Sequence, residues 1–151
     1  GGEPYTAEPV PSRGLPTRRD LLEERLLALI PMVTEEIREK ELANHYLIFT
    51  AASNQELFDA LTGSRERTST PHIVEALDIL RFKGEVLAQM TEDISEEFMA
   101  CKRELEKECI RERLLKLGSE IETREKTGDQ HGVTVLLQNF RELSDTLRKL
   151  N

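Results

Sequence analysis

The sequence has no apolar run close to the roughly 18–20 residues of a membrane span. It has no apolar stretch near its start that would serve as a signal peptide, because Pro, Glu and Ser fall where one would be needed. It lacks an excess of basic residues. Its formal charge is −8, which excludes a sequence-independent DNA or RNA binder, since phosphate contacts need clustered Lys and Arg. Two short basic groups, Arg18-Arg19 and the Arg65/Arg67 loop, are too small for such a patch and are expected on solvated surfaces. There are two cysteines, Cys101 and Cys109, and neither lies in a CxxC pair. On one helix their eight-residue spacing is about 12 Å of rise, too far for a disulfide. They are expected to be small buried apolar side chains in a reducing compartment. His45, His72 and His131 are scattered, so no metal site is expected. GxG and GK motifs are both missing, as is a nucleophile paired with a base. The acidic pairs Glu35/Glu36, Glu96/Glu97 and Glu104/Glu108 read as solvated helix faces, with Lys107 and Arg111 as near partners, and not as catalytic carboxylates. No catalytic residue and no cofactor is assigned.

The residues that are present spell a succession of helix signals. Four of the six prolines fall within residues 1–16, which read as a disordered linker. From Thr17, a suitable N-cap, Leu21, Leu22, Arg25, Leu26, Leu29 and Ile30 form an amphipathic stripe that ends at Pro31. A second helix is expected after Thr34. Leu47, Ile48 and Phe49 form an apolar run of undecided form. Ser53 and Glu56 have capping-box spacing and are expected to open a helix that stops near Gly63. A polar loop over 63–70 leads to Thr70-Pro71, a cap followed by proline at the first helical position. Ile73, Val74, Leu77 and Leu80 come next. Gly84 is expected to interrupt that helix before Val86, Leu87 and Met90. No period-2 strand pattern appears, so the class is all-α.

The last third is longer-ranged. Between Ser95 and Lys126 there is no proline and one glycine. Apolar residues run Ile94, Phe98, Cys101, Leu105, then Ile110, Leu114, Leu117, Ile121. The five-residue jump from Leu105 to Ile110 turns the seam to a new face. The first half of this helix is therefore expected to pack on the short helices before it, and the second half on the last helix of the chain. Gly128 suits a left-handed helix end and Asp129 an N-cap. Val133, Leu136, Leu137, Phe140, Leu143, Leu147 and Leu150 then repeat at three and four. A turn this short makes the two helices antiparallel neighbours, about 110–126 against 130–150. The expected organisation is a linker over 1–16, a bundle of short helices over 17–108 and a C-terminal helical hairpin over 109–151. Two helices bury one seam and leave a flank of each uncovered. Either the bundle or a partner taking helices into a groove would cover the rest. Gly118, mid-helix, costs about 1 kcal/mol against alanine and marks a bend or a close approach.

The closing segment, EEFMACKRELEKECIRERLLKLGSEIETREKTGDQHGVTVLLQNFRELSDTLRKLN, resembles the end of the C-terminal helicase-binding domain of bacterial DNA primase. FTAASNQELFDAL at 49–61 and LLEERLLALI at 21–30 are similar to two further segments of that family. The resemblance implies a cytoplasmic domain that does no chemistry itself. Such a domain docks primase on the N-terminal domain of the replicative hexameric helicase and couples primer synthesis to fork unwinding. By position it implies Leu137, Phe140, Arg141, Ser144, Leu147 and Arg148 as partner-binding residues, with Lys126 and His131 at the hairpin tip. The competing reading is an all-α dimerisation or adaptor module that uses the same hairpin for weak self-association or an unrelated partner.

Overall fold

The computed structural model describes residues 14–63 and 71–151. Most of the linker expected over 1–16, most of the polar loop expected over 63–70 with Arg65 and Arg67, and the expected Thr70 cap lie outside the described residues. The chain forms α1 (Arg18–Leu29), a 3₁₀ turn (Ile30–Met32), α2 (Glu35–Leu42), α3 (Ala52–Thr62), α4 (Pro71–Met90), α5 (Ile94–Thr127) and α6 (Gln130–Leu150). The described chain is all-α: short helices, then a long helix, then a C-terminal antiparallel hairpin. No helix among the described residues is long and apolar enough to cross a membrane.

The helix ends obey local chemistry. Thr17 and Asp20 form a reciprocal capping box at α1, Thr34 caps α2 and Asp93 caps α5. Gly63 and Gly128 end α3 and α5 in the left-handed region, with φ of 71° and 76°. Three expectations are corrected. Ala51 is the N-cap of α3, so Ser53 lies inside the first turn. The reason is tertiary: buried Glu23 of α1 accepts hydrogen bonds from the Thr50 backbone N–H and from Asn54 Nδ2, both at 3.2 Å, and this fixes where α3 starts. Secondly, Gly84 does not interrupt α4. A Cβ there would lie 2.3 Å from the Ala28 carbonyl oxygen, so the glycine is what lets α4 cross α1 closely. Thirdly, the stripe on α1 is displaced. Leu21 and Arg25 face outward, and the buried face is Glu23, Leu26, Leu27 and Ile30 with their neighbours.

The core gathers α1, α3, α4 and the first half of α5. It includes Leu26, Leu27, Ile30, Phe58, Ile73, Leu80, Phe98, Cys101, Leu105 and Cys109. Residues 43–50 run over this core as a non-helical strap. Leu47 and Phe49 point in, whereas Tyr46 and Ile48 point out. Glu106, itself buried, accepts from the Tyr46 backbone N–H at 3.1 Å. His45 Nδ1 accepts from Leu47 N–H at 3.1 Å, and its ring meets Phe58 edge-on. Burial holds this imidazole pKa below its usual value, against the pull of Glu106. That favours the neutral ring, and the Leu47 N–H bond selects the tautomer whose Nδ1 is free to accept.

Along α5 the seam does turn. Phe98, Cys101, Leu105 and Cys109 belong to the core, whereas Ile110 and Leu117 are buried outside it, on the side that α6 covers. Both cysteines are free and buried. Burial pushes the Cys101 thiol up to about 12 and raises that of Cys109, so neither is a thiolate at neutral pH.

Candidate functional site

The hairpin turn is built from Thr127, Gly128 and Asp129. The Gly128 N–H reaches back to Glu125 O and the Asp129 N–H to Arg124 O, which closes α5. Asp129 then caps α6 by accepting from the Gly132 N–H at 2.9 Å, and it pairs with Arg124 at 2.6 Å. These bonds, the Gly132 amide first, hold the Asp129 carboxyl below its ordinary range. A carboxylate with a lowered folded pKa contributes stability above its unfolded pKa, about 3.9, and that contribution is lost as pH falls through the folded value. Protection of the Gly132 and Val133 amides from hydrogen exchange should therefore fall as pH drops below about 4, and Asp129→Asn should flatten that dependence. An unchanged pH profile in the variant would remove Asp129 as the cause.

Helix α6 packs along α5, with at most marginal contact to the other helices. No residue of α6 is fully buried. Val133, Leu136, Phe140, Leu143, Leu147 and Leu150 are each half-covered. Helical periodicity divides α6 into two flanks about this stripe. One flank, with Asn139, Leu143 and Thr146, faces the strap and shares recesses with Tyr46 and Arg113. The other flank faces away from the bundle.

The structure sorts the predicted site residues accordingly. Leu137, Ser144, Arg141 and Arg148 share the free flank. Leu137 and both arginines are exposed, and Ser144 is half-buried. Phe140 and Leu147 lie on the stripe that meets α5 and are half-buried there. They are first of all the glue of the hairpin. Lys126 and His131 are exposed at the tip, and Lys126 is paired with Glu122. Arg148 pairs with Asp145, whereas Arg141 has no ion pair among the described residues. From α5 the same flank receives Leu114 and Ile121, both half-covered, with the bare backbone of Gly118 between them. Residues 109–151 carry eight basic and seven acidic side chains, so the net negative charge belongs to the rest of the chain. On this flank Arg141 follows Leu137 by one helical turn.

Sequence reasoning missed the supports of this region. Glu23 is completely buried in the LLEERLL run, and besides Thr50 N–H and Asn54 it accepts from Thr50 Oγ1 at 2.8 Å. Arg19 is not on a solvated surface. It donates to Glu23 at 3.2 Å, reaches the Ile48 carbonyl and pairs with Glu112 of α5. A usable signal existed: Glu23 is three, four and seven residues before Leu26, Leu27 and Ile30, the spacing of one helix face. A second apolar surface also escaped. Leu21, Ala28, Phe82, Val86 and Leu87 line an open groove of about 540 Å³ between α1 and α4, and Phe82 is 67% exposed. Among the described residues, no three His, Cys, Asp or Glu side chains converge to hold a metal ion. Comparison with family models, with curated proteins and with solved structures gives no match.

Proposed function

We propose that this chain is a protein-docking domain of the kind that ends bacterial DNA primase. In this reading it binds the N-terminal domain of the replicative hexameric helicase through its C-terminal hairpin and does no chemistry of its own. One observation carries the reading: α6 is apolar at three-and-four spacing, yet none of its residues is fully buried and α5 is the one helix that packs on it extensively among the described residues. A free amphipathic helix flank of this kind is a recognition surface. The resemblance of the closing segment supplies the partner. Leu137 would act as an apolar anchor, and Arg141 and Arg148 would set register and association rate.

The test is titration calorimetry of this chain against the N-terminal domain of the replicative helicase from the same source. The triple variant Leu137→Ala, Arg141→Ala, Arg148→Ala should weaken binding about 30-fold or more. Its helical circular dichroism should be unchanged, because none of the three is buried. By contrast, Phe140→Ala with Leu147→Ala should lower the melting temperature as well as the affinity. Absence of binding by the unmodified chain would overturn the reading.

The half-covered stripe also supports self-association, two hairpins closing into a four-helix arrangement. Sedimentation equilibrium separates the readings. A tight dimer that buries the hairpin and ignores the helicase would favour the second.

A further inference from the structure

Gly118 has no structural reason to be glycine. It lies within α5, which runs unbroken from Ile94 to Thr127. Its φ is not positive. A Cβ built on it meets nothing within 4 Å, so no neighbouring helix needs the space. Gly84 is the opposite case in the same chain, with a carbonyl oxygen at 2.3 Å. Glycine in mid-helix exposes backbone and costs stability relative to alanine. Nothing among the described residues offsets that cost.

The position is on the free flank. Helical periodicity places Gly118 on the side of α5 opposite Lys116 and Arg113, which line the recesses toward the strap. Leu114 and Ile121, one turn to either side, border it. Across the antiparallel pair, Leu137 and Arg141 of α6 come at about the same height. The result is a notch in the hairpin flank, floored by bare backbone and edged by leucine and isoleucine. Beside it stands a guanidinium with no ion pair among the described residues.

We infer that this notch receives an apolar side chain from a helix of the docking partner, and that the same helix carries an acidic residue to meet Arg141. This inference rests on the docking function proposed above and assigns Gly118 as its specificity-determining position. An approaching helix needs a hole for its knob, and glycine supplies the deepest hole a helix surface can offer. The charge is set by Arg141, an exposed cation that has no ion pair among the described residues.

The test uses the full 151-residue chain and the purified N-terminal domain of the replicative helicase, with binding read by calorimetry. Gly118→Ala should raise the melting temperature by about 2–4 °C and weaken binding about threefold. Gly118→Met should weaken it at least tenfold. Ser119→Met, one residue on and facing outward, should bind as the unmodified chain does. Graded loss at 118 with no loss at 119 supports the notch. Unchanged binding in both Gly118 variants overturns it and leaves the docking function standing. Equal loss in Ala and Met also overturns it, because that pattern belongs to a bend that any side chain stiffens. Absence of binding by the unmodified chain overturns the docking function and the notch together.

Discussion

Glu23→Ala should destabilise the domain by roughly 3–5 kcal/mol. The carboxylate is fully buried and holds four groups: Thr50 N–H, Thr50 Oγ1, Asn54 Nδ2 and Arg19 Nε. Removing it strands Arg19, which is itself largely buried, with part of its charge uncompensated. Unpaired buried donors add about 1–3 kcal/mol each where water cannot reach them. Small domains have only about 5–15 kcal/mol to lose, so a large part of the stability goes with this one group. Equilibrium urea unfolding measures the loss. Glu23→Gln should cost less, because one carbonyl oxygen still accepts. The local signature is equally specific: the Thr50 amide, whose acceptor is removed, should lose its exchange protection before the α5 amides do. A loss below about 1 kcal/mol would mean that Glu23 behaves as a solvated surface charge and does not anchor the strap.

That group shows where a sequence stops being legible. The helices, their caps at Thr17 and Thr34, the turn at Gly128-Asp129 and the rotation of the α5 seam after Leu105 all depend on local rules. Residues a few positions apart state them. Glu23 looks like any other acidic residue in a charged helix until its partners at 50 and 54 are brought across from another element. The start of α3 at Ala52, where local spacing favours Ser53 as the cap, has the same cause. The apolar groove of Leu21, Phe82 and Val86 was hidden for a different reason. Hydrophobic residues at helical spacing read as core, and only the packing of neighbouring helices shows which stripe is left without cover. For the hairpin, the stripe of α6 is legible in the spacing but its division into flanks is not. That division depends on where the strap lies, so Phe140 and Leu147 could not be told from Leu137 and Arg141 by spacing alone.

Gly84→Ala should cost about 2 kcal/mol net. Two terms oppose each other. Alanine gains about 1 kcal/mol of helix propensity over glycine. Against this, the new Cβ would lie 2.3 Å from the Ala28 carbonyl oxygen and 3.0 Å from Met32 Cγ. The methionine can move aside, but the carbonyl belongs to the backbone of α1 and cannot. Relief requires α4 to back away from α1, which opens the contacts of Ile73 and Leu80 with the core. Thermal unfolding should show a lowered midpoint for Gly84→Ala and a raised one for Gly118→Ala, the same chemical change with opposite sign. Two lowered midpoints would mean that α5 at residue 118 is closely packed after all. The pair also separates the bundle from the hairpin. Gly84 packs on α1 and the 3₁₀ turn, away from α6, so Gly84→Ala should leave the affinity for a hairpin partner within about twofold. Weaker binding in that variant would show that the α1–α4 crossing and the proposed docking flank move as one unit.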